Sequence, residues 1–316
     1  MMIKRKTKLV VASGKGGVGK SMLASTLAML FSKTKKVVAV DCDVDAPNLA
    51  VWLNELTHWN KVMPVITSAK PEIDYKKCNS CGLCVEKCRF SAMKMINNKP
   101  QLNPFLCEGC GACQVLCPQK AIKLKPVQNG EIKIKKTKYG FPLVVGQLFP
   151  GETGSGKIVE EIKTQAEKFA ESFKWPPKLQ SNFEVLYLID SAPGTGCPVI
   201  ASLRDADFAI LVTEPTPSGF SDLLRVLEVV NHFKIPWKLV INKWDINPQL
   251  SDKIKRWSGK KFLGKISYDK KIFQAISNLI PVLETNLKVK KEIQRIYENL
   301  IKNYVSSTDK TKKNKF

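Results

Sequence analysis

The sequence predicts an α/β protein, a doubly wound, mainly parallel sheet interrupted by a smaller α+β segment rich in cysteine. Three observations carry this expectation. Apolar runs at residues 37–40, 185–189, 208–213 and 237–241 alternate with stretches of helical length, as in a parallel sheet built from β-α units. The first apolar run opens a glycine-rich loop, VVASGKGGVGKS over residues 10–21, with a helical stretch directly behind it. From about Lys70 the composition changes, and eight of the ten cysteines fall between Cys78 and Cys117.

The bulk composition sets limits. At 316 residues, with 44% apolar and 25% charged residues, the chain is globular and long enough for a sizeable core. No stretch reaches the roughly eighteen apolar residues of a membrane span. The N-terminal MMIKRKTKLVVAS begins like a signal peptide, but Lys15 cuts its apolar run short, so the chain reads as cytoplasmic. Lys and Arg number 51 against 28 Asp and Glu, a formal charge of +23. These basic residues are dispersed and lack interleaved aromatic residues. They read as a solvated lysine-rich surface, not as a nucleic-acid or membrane site.

Residues 10–21 fit G-x-x-x-x-G-K-[ST] with Gly14, Gly19, Lys20 and Ser21. Gly16, Gly17, Val18 and Gly19 let backbone N–H groups turn inward, and the helix N-terminus adds the positive end of its dipole, so polyphosphate is the natural ligand. Lys20 is placed to reach the terminal phosphates and Ser21 to take a position on Mg²⁺. A second lysine, Lys15, gives KGGVGKS, which resembles the deviant P-loop of the MinD and nitrogenase iron protein superfamily. The resemblance implies an ATP-sandwich dimer in which Lys15 reaches the partner's nucleotide.

The strand at 37–40 delivers Asp41, Asp43 and Asp45 beside that loop, where ligands bind in open α/β sheets. The superfamily carries a switch I of this form. The resemblance implies that Asp43 orients the attacking water and that Asp41 lies near Lys20 and Mg²⁺. Asp45 is a third candidate, with capping of the next helix as its alternative role.

Cys78, Cys81, Cys84 and Cys88 follow C-x₂-C-x₂-C-x₃-C, and Cys107, Cys110, Cys113 and Cys117 repeat it, ending in Pro118. Each close trio suits three corners of a [4Fe–4S] cubane, while the fourth cysteine reaches across to the other cluster. One cluster is therefore expected on Cys78, Cys81, Cys84 and Cys117, and the other on Cys107, Cys110, Cys113 and Cys88. Zinc needs neither the third cysteine nor the repeat, and disulfides do not suit a cytosolic chain. Residues 71–124 resemble a bacterial two-cluster ferredoxin, with Arg89 where the first motif would carry proline. Between Lys70 and Lys138, 14 Lys and Arg face 5 Asp and Glu. That balance would raise the cluster potentials and attract an acidic redox partner.

Residues 131–138 alternate like an exposed strand after an Asn129-Gly130 turn, and 143–149 resumes the buried sheet. GETGSGKIV matches the phosphate loop at Gly151, Gly156 and Lys157, but Ile158 replaces the magnesium-binding hydroxyl, so it reads as a decoy opening a helix over 157–173. The strand at 185–189 ends in Asp190, the expected Walker B acid for Mg²⁺. Glycines follow it, as in a switch II, and then Cys197. By resemblance Cys197 stands where the nitrogenase iron protein holds a ligand of its intersubunit cluster, but that protein's second ligand has no counterpart here. Cys42 and Cys197 also fit as small buried apolar residues.

A helix over 218–233 leads to the strand 237–241 and then to Asn242, Lys243, Trp244 and Asp245, a match to the guanine-reading N-K-x-D. In the MinD-like superfamily the asparagine contacts adenine, and the deviant loop favours ATP over GTP. Helices over 248–257 and 269–277 flank a strand at 262–266. A last helix over 283–304 carries an apolar face that suits core packing better than membrane attachment. His58 and His232 lie near no motif.

The expected organisation is a discontinuous ATPase domain at 1–66 and 140–305, a ferredoxin-like insert at 67–139 with two [4Fe–4S] clusters, and a disordered basic tail at 306–316. The expected function is a slow, partner-stimulated ATPase. Its dimer, with itself or with a paralogue, couples Mg-ATP hydrolysis to electron delivery into an acidic acceptor. A carrier for iron–sulfur or other metal-cofactor assembly, delivering to an acceptor protein, is the alternative. MinD-like positioning is the third.

Overall fold

The computed structural model describes residues 6–180 and 184–313, with side chains to residue 302. Strand β1 (Lys6–Ser13) enters the glycine-rich loop, and α1 (Lys20–Phe31) leaves it, buried at every residue but Ser21. Strand β2 (Lys36–Cys42) is buried throughout, the pattern of a parallel strand covered on both faces. The short α2 (Leu49–Trp52) leads to β3 (Lys61–Val65). The chain then forms β4 (Ser68–Ile73), α3 (Leu83–Glu86), β5 (Met93–Ile96), β6 (Lys99–Leu102), α4 (Ala112–Val115) and β7 (Ile122–Val127). In this excursion β4 pairs only with β7 and β5 only with β6, as two small antiparallel sheets.

The main sheet resumes with β8 (Gly130–Lys136) and β9 (Pro142–Leu148). Four β-α steps follow: α5 (Ser155–Ser172), β10 (Val185–Pro193), α6 (Cys197–Leu203), β11 (Phe208–Thr213), α7 (Pro217–His232), β12 (Trp237–Asn242), α8 (Pro248–Ser258) and β13 (Phe262–Ile266). Helices α9 (Lys271–Ser277) and α10 (Lys288–Lys313) finish the chain.

Nine strands form the main sheet in the order β13-β12-β11-β1-β10-β2-β9-β8-β3. Only β8 runs against the rest, since it is antiparallel to both β9 and β3. Alternate residues feed two core layers: Val10 and Ala12 pack on one face, Leu9 and Val11 on the other. Parallel pairing of β1, β10 and β2 brings their C-terminal ends to one edge, with Asp190 opposite Asp41 in register. That edge is where such sheets bind ligands.

Two expectations are corrected. Strand β8 is not exposed: Ile132 and Ile134 are wholly buried, and Lys135 is buried against Glu55. Strand β3 covers the edge that the alternating pattern suggested would face water, so the chain departs from the sheet only between β3 and β8 and not over the whole of 67–139. The basic tail, expected to be disordered, continues α10 as far as Lys313. No glycine or proline follows Pro281 to stop that helix, and residues 314–316 lie outside the described residues. No helix among the described residues is long and apolar enough to cross a membrane.

Candidate nucleotide and cysteine sites

The glycine-rich loop owes its shape to two kinds of constraint. Gly19 has φ +92°, and a side chain there would also collide with the Asn242 amide. Gly14 lies so close to the backbone carbonyl of Asp222 in α7 that no Cβ fits. The loop borders a cavity of about 540 Å³ lined by Gly16, Lys20, Ser21, Asp43, Asp45 and Pro193, among others.

Asp190 is wholly buried, and neither carboxylate oxygen has a hydrogen-bond partner. Burial pushes its pKa up to about 6, against the opposing pull of the Lys20 charge and the Ser21 hydroxyl. Asp43 is raised as well, by burial first and by Asp45, with Lys20 opposing. An orphaned carboxylate beside a serine hydroxyl is an oxygen donor set that fits Mg²⁺.

Asp41 lies behind the cavity, opposite Asp190 in the sheet. It is wholly buried and accepts hydrogen bonds from Asp43 N at 3.1 Å and Leu49 N at 2.8 Å. Its carboxylate shapes the loop that carries Asp43 and is not among the residues lining the cavity. Burial, then the neighbouring Asp190, raises its pKa well above the usual carboxylate range.

Lys15 is half-exposed, and its Nζ donates to Glu214 Oε1 at 2.9 Å. The other Glu214 oxygen accepts from Lys243 Nζ at 3.1 Å, and Lys243 Nζ also donates to Gly17 O at 3.2 Å. Burial would raise the Glu214 pKa, but the hydrogen bonds from Lys15 and Lys243 outweigh it and hold the pKa low. Asn242 Nδ2 donates to Val18 O at 2.8 Å, and Asp245 Oδ1 accepts from Tyr268 N at 2.7 Å. All three residues of the N-K-x-D match therefore brace the chain itself. A second cavity of about 130 Å³ is lined by Asn242, Tyr268, Ile272, Phe273 and Ile276, an apolar slot suited to a planar base, and Asp245 is not among its described lining residues.

Sequence reasoning missed Glu214, Trp52, Tyr268 and Phe273. Glu214 directly follows the apolar strand β11, the same signal that marked Asp41 and Asp190, so it was detectable. The aromatic residues sit in no local pattern.

In the excursion, Cys78, Cys81, Cys84 and Cys117 line one small cavity with Pro100 and Pro118. Burial pushes the Cys84 thiol up, and the sulfurs of Cys78, Cys81 and Cys117 add to the effect. Cys113 is raised likewise, by burial and then by Cys107 and Cys110, with a smaller effect from Cys84. The Ala121 N–H donates to Cys117 Sγ at 3.3 Å. Cys88 closes the turn after α3, and its place in the second set rests on spacing alone. None of the eight forms a disulfide. Among the described residues no group of three or more His, Cys, Asp or Glu closes about a single metal ion. A cubane makes a different demand, because its four thiolates bind four separate irons.

Cys197 is exposed at the first position of α6, and Gly156 of α5 packs against it. The loop before α5 faces the cysteine segment. Asn129 Nδ2 donates to Thr153 O at 2.7 Å, its Oδ1 accepts from Thr67 N at 2.9 Å, and Lys70 pairs with Glu152.

The family described as CobQ/CobB/MinD/ParA nucleotide binding domain matches residues 9–282. The uncharacterized protein MJ0578 of Methanocaldococcus jannaschii is 38% identical over 293 residues, 93% of this chain and 96% of that protein. MJ0579 of the same organism is 34% identical over 84% of this chain and 87% of its own length. Among solved structures, MinD of Aquifex aeolicus aligns with TM-score 0.54 at 17% identity, covering 93% of this chain and 97% of that one. MinD of Pyrococcus horikoshii, complexed with Mg-ADP, aligns with TM-score 0.54 at 15% identity over 94% and 96%. At such identity these two likenesses speak for the fold alone. The chain belongs to the CobQ/CobB/MinD/ParA nucleotide-binding family.

Proposed function

We propose that this member of the family is a Mg-ATPase whose dimer opens and closes with nucleotide, and that it couples this cycle to electron transfer from its cysteine segment into an acceptor protein. The observation that carries the coupled reading is the joint between the two sites. Pro193 and Pro198 line the nucleotide cavity, Cys197 packs on Gly156, and the loop one turn before Gly156 is tied to both ends of the cysteine excursion through Thr67, Lys70 and Asn129. A change at the γ-phosphate edge has a packed route to the base of the cysteine excursion.

In this reading Lys20 and the loop amides take the phosphate charge, and Asp43 orients water for in-line attack on the γ-phosphorus as the bond to the β-phosphate oxygen breaks. Ser21 and Asp190 would hold Mg²⁺, which supplies charge neutralisation at the phosphates. Lys15 reaches the nucleotide of the second subunit, a copy of this chain or a paralogue. Two relatives in one organism make the paralogue option concrete. The excursion between β3 and β8 is read as a ferredoxin-like unit, with Cys78, Cys81, Cys84 and Cys117 holding one [4Fe–4S] cluster and Cys107, Cys110, Cys113 and Cys88 the other. When bound, these clusters supply one-electron chemistry. The exposed cations Arg89, Lys94, Lys120 and Lys123, which have no acidic partner among the described residues, suit an acidic acceptor. Anaerobic purification with iron counting and a phosphate-release assay tests the reading. Eight irons per chain and Mg-dependent ATP hydrolysis are expected, and an iron-free protein with full ATPase activity would contradict it.

MinD-like positioning is the second reading. The basic helix α10, continuing to Lys313, is the observation that favours it. ATP-dependent sedimentation with anionic liposomes, without any redox change, would establish it.

A further inference from the structure

Glu214 sits between two lysines whose surroundings differ. The inner one, Lys243, is tied twice, to Glu214 Oε2 at 3.1 Å and to the loop carbonyl of Gly17 at 3.2 Å. The outer one, Lys15, has a single short bond, to Glu214 Oε1 at 2.9 Å, and a long contact of 3.5 Å to Ser218 Oγ. The Glu214 side chain is 10% exposed, whereas that of Lys15 is 40% exposed. Removing Lys15 from this arrangement leaves the buried carboxylate still neutralised by Lys243, so it does not strand an unpaired buried charge. Removing Lys243 would strand it partly and would also free the Gly17 carbonyl. The position is built into the fold. Glu214 directly follows β11, Thr216 Oγ1 accepts from Gly219 N at 2.9 Å, and a side chain at Gly219 would crowd the Glu214 carbonyl.

We propose that Glu214 is a positioning residue of the nucleotide site that parks Lys15 in its own subunit and releases it to the partner's nucleotide on dimer closure, keeping Lys243 as its counter-ion. The inference rests on the dimer reading above and adds to it a residue that sets how readily the dimer closes. Glu214 competes with the incoming phosphates for Lys15. With its Lys15 end 40% exposed and Glu214 already neutralised by Lys243, the pair is a weak competitor, so relieving it changes the equilibrium by about two- to five-fold.

The test uses the full chain, purified anaerobically, in sedimentation-velocity runs with a slowly hydrolysed Mg-ATP analogue or with Mg-ADP. Glu214→Gln should lower the dimer dissociation constant about two- to five-fold with the analogue. Glu214→Asp, with a carboxylate one methylene shorter, should shift the constant in the same direction by less, and it decides the matter if the glutamine variant fails to fold. In a Lys15→Ala background either substitution should have no effect on dimerisation, a result a merely structural role would not produce. A wild-type dimer unaffected by both Glu214 substitutions, or an effect that persists without Lys15, overturns this inference and leaves the dimer reading intact. A wild-type chain that stays monomeric with the analogue overturns both.

Discussion

The nucleotide edge and the cysteine segment are positioned by opposite means. At the nucleotide edge the sheet does the work: β2 is buried at every residue, α1 at all but one, and α7 and Asn242 press so close to Gly14 and Gly19 that no side chain fits there. The cysteine segment, from β4 to β7, has little of this. Its buried apolar side chains are few, Pro71, Ala92, Met93, Pro100, Cys107, Ala121 and Ile122, while Phe105 is 70% and Val115 83% exposed. A unit of about 60 residues with so small a core needs a staple, and eight thiols at metal-binding spacing are the available one. On the proposed reading, one site is shaped before its ligand arrives, and the other depends on its clusters to hold a shape.

The sharpest way to break this comparison is to remove the metal that the proposed reading places on the thiols. Chelation under denaturant-free conditions, or Cys84→Ser, should raise amide exchange across β4 to β7 by a hundredfold or more, about 3 kcal/mol of local stability, while β1, β2 and β10 keep their protection. Equal loosening of both regions would show that the segment is not ligand-held.

At the nucleotide edge the largest effect belongs to Lys20→Ala, which should lower kcat about 10²–10³-fold without changing the exchange pattern of the cysteine segment. Phosphate release and exchange mass spectrometry on the same sample check both halves.

Asp190 gives a smaller, pH-dependent effect. Its pKa is raised by burial from 3.8 to about 6, so the ion-free chain should lose stability as pH rises from near 3.8 through about 6, where the buried carboxylate becomes charged. Mg-nucleotide affinity should move the other way. It should strengthen by up to about tenfold per pH unit below 6 and level off above it. Calorimetric titration from pH 5 to 8 reads the slope, and Asp190→Asn should abolish it.

The smallest effect is expected at Asp245. Because its carboxylate accepts from Tyr268 N, Asp245→Ala should change the ratio of ATP to GTP affinity by less than about threefold. A tenfold loss of GTP binding alone would mean that the aspartate reads guanine after all.

What was legible in the sequence follows the same division. The glycine-rich loop, the strand-end acids and the doubled cysteine spacing are local patterns, readable without any knowledge of the fold. Residues whose part depends on non-local contacts were less readable. Lys243 looked like part of a base-reading motif, and only the approach of β12 to the loop shows it bonded to Gly17. Asp41 and Asp43 are two residues apart with the same chemistry, yet the turn to Leu49 takes one inward and leaves the other facing the cavity. Strand β8 read as exposed because its covering strand, β3, is some 65 residues away in sequence.

The most direct test of the account is an anaerobic redox titration followed by electron paramagnetic resonance, with and without a slowly hydrolysed Mg-ATP analogue. Coupling through the joint at Gly156 and Glu152 predicts that the analogue shifts the midpoint potential of at least one cluster, and that Mg-ADP shifts it less. Two cluster signals whose potentials stay the same in the presence of tightly bound analogue would contradict the coupled reading.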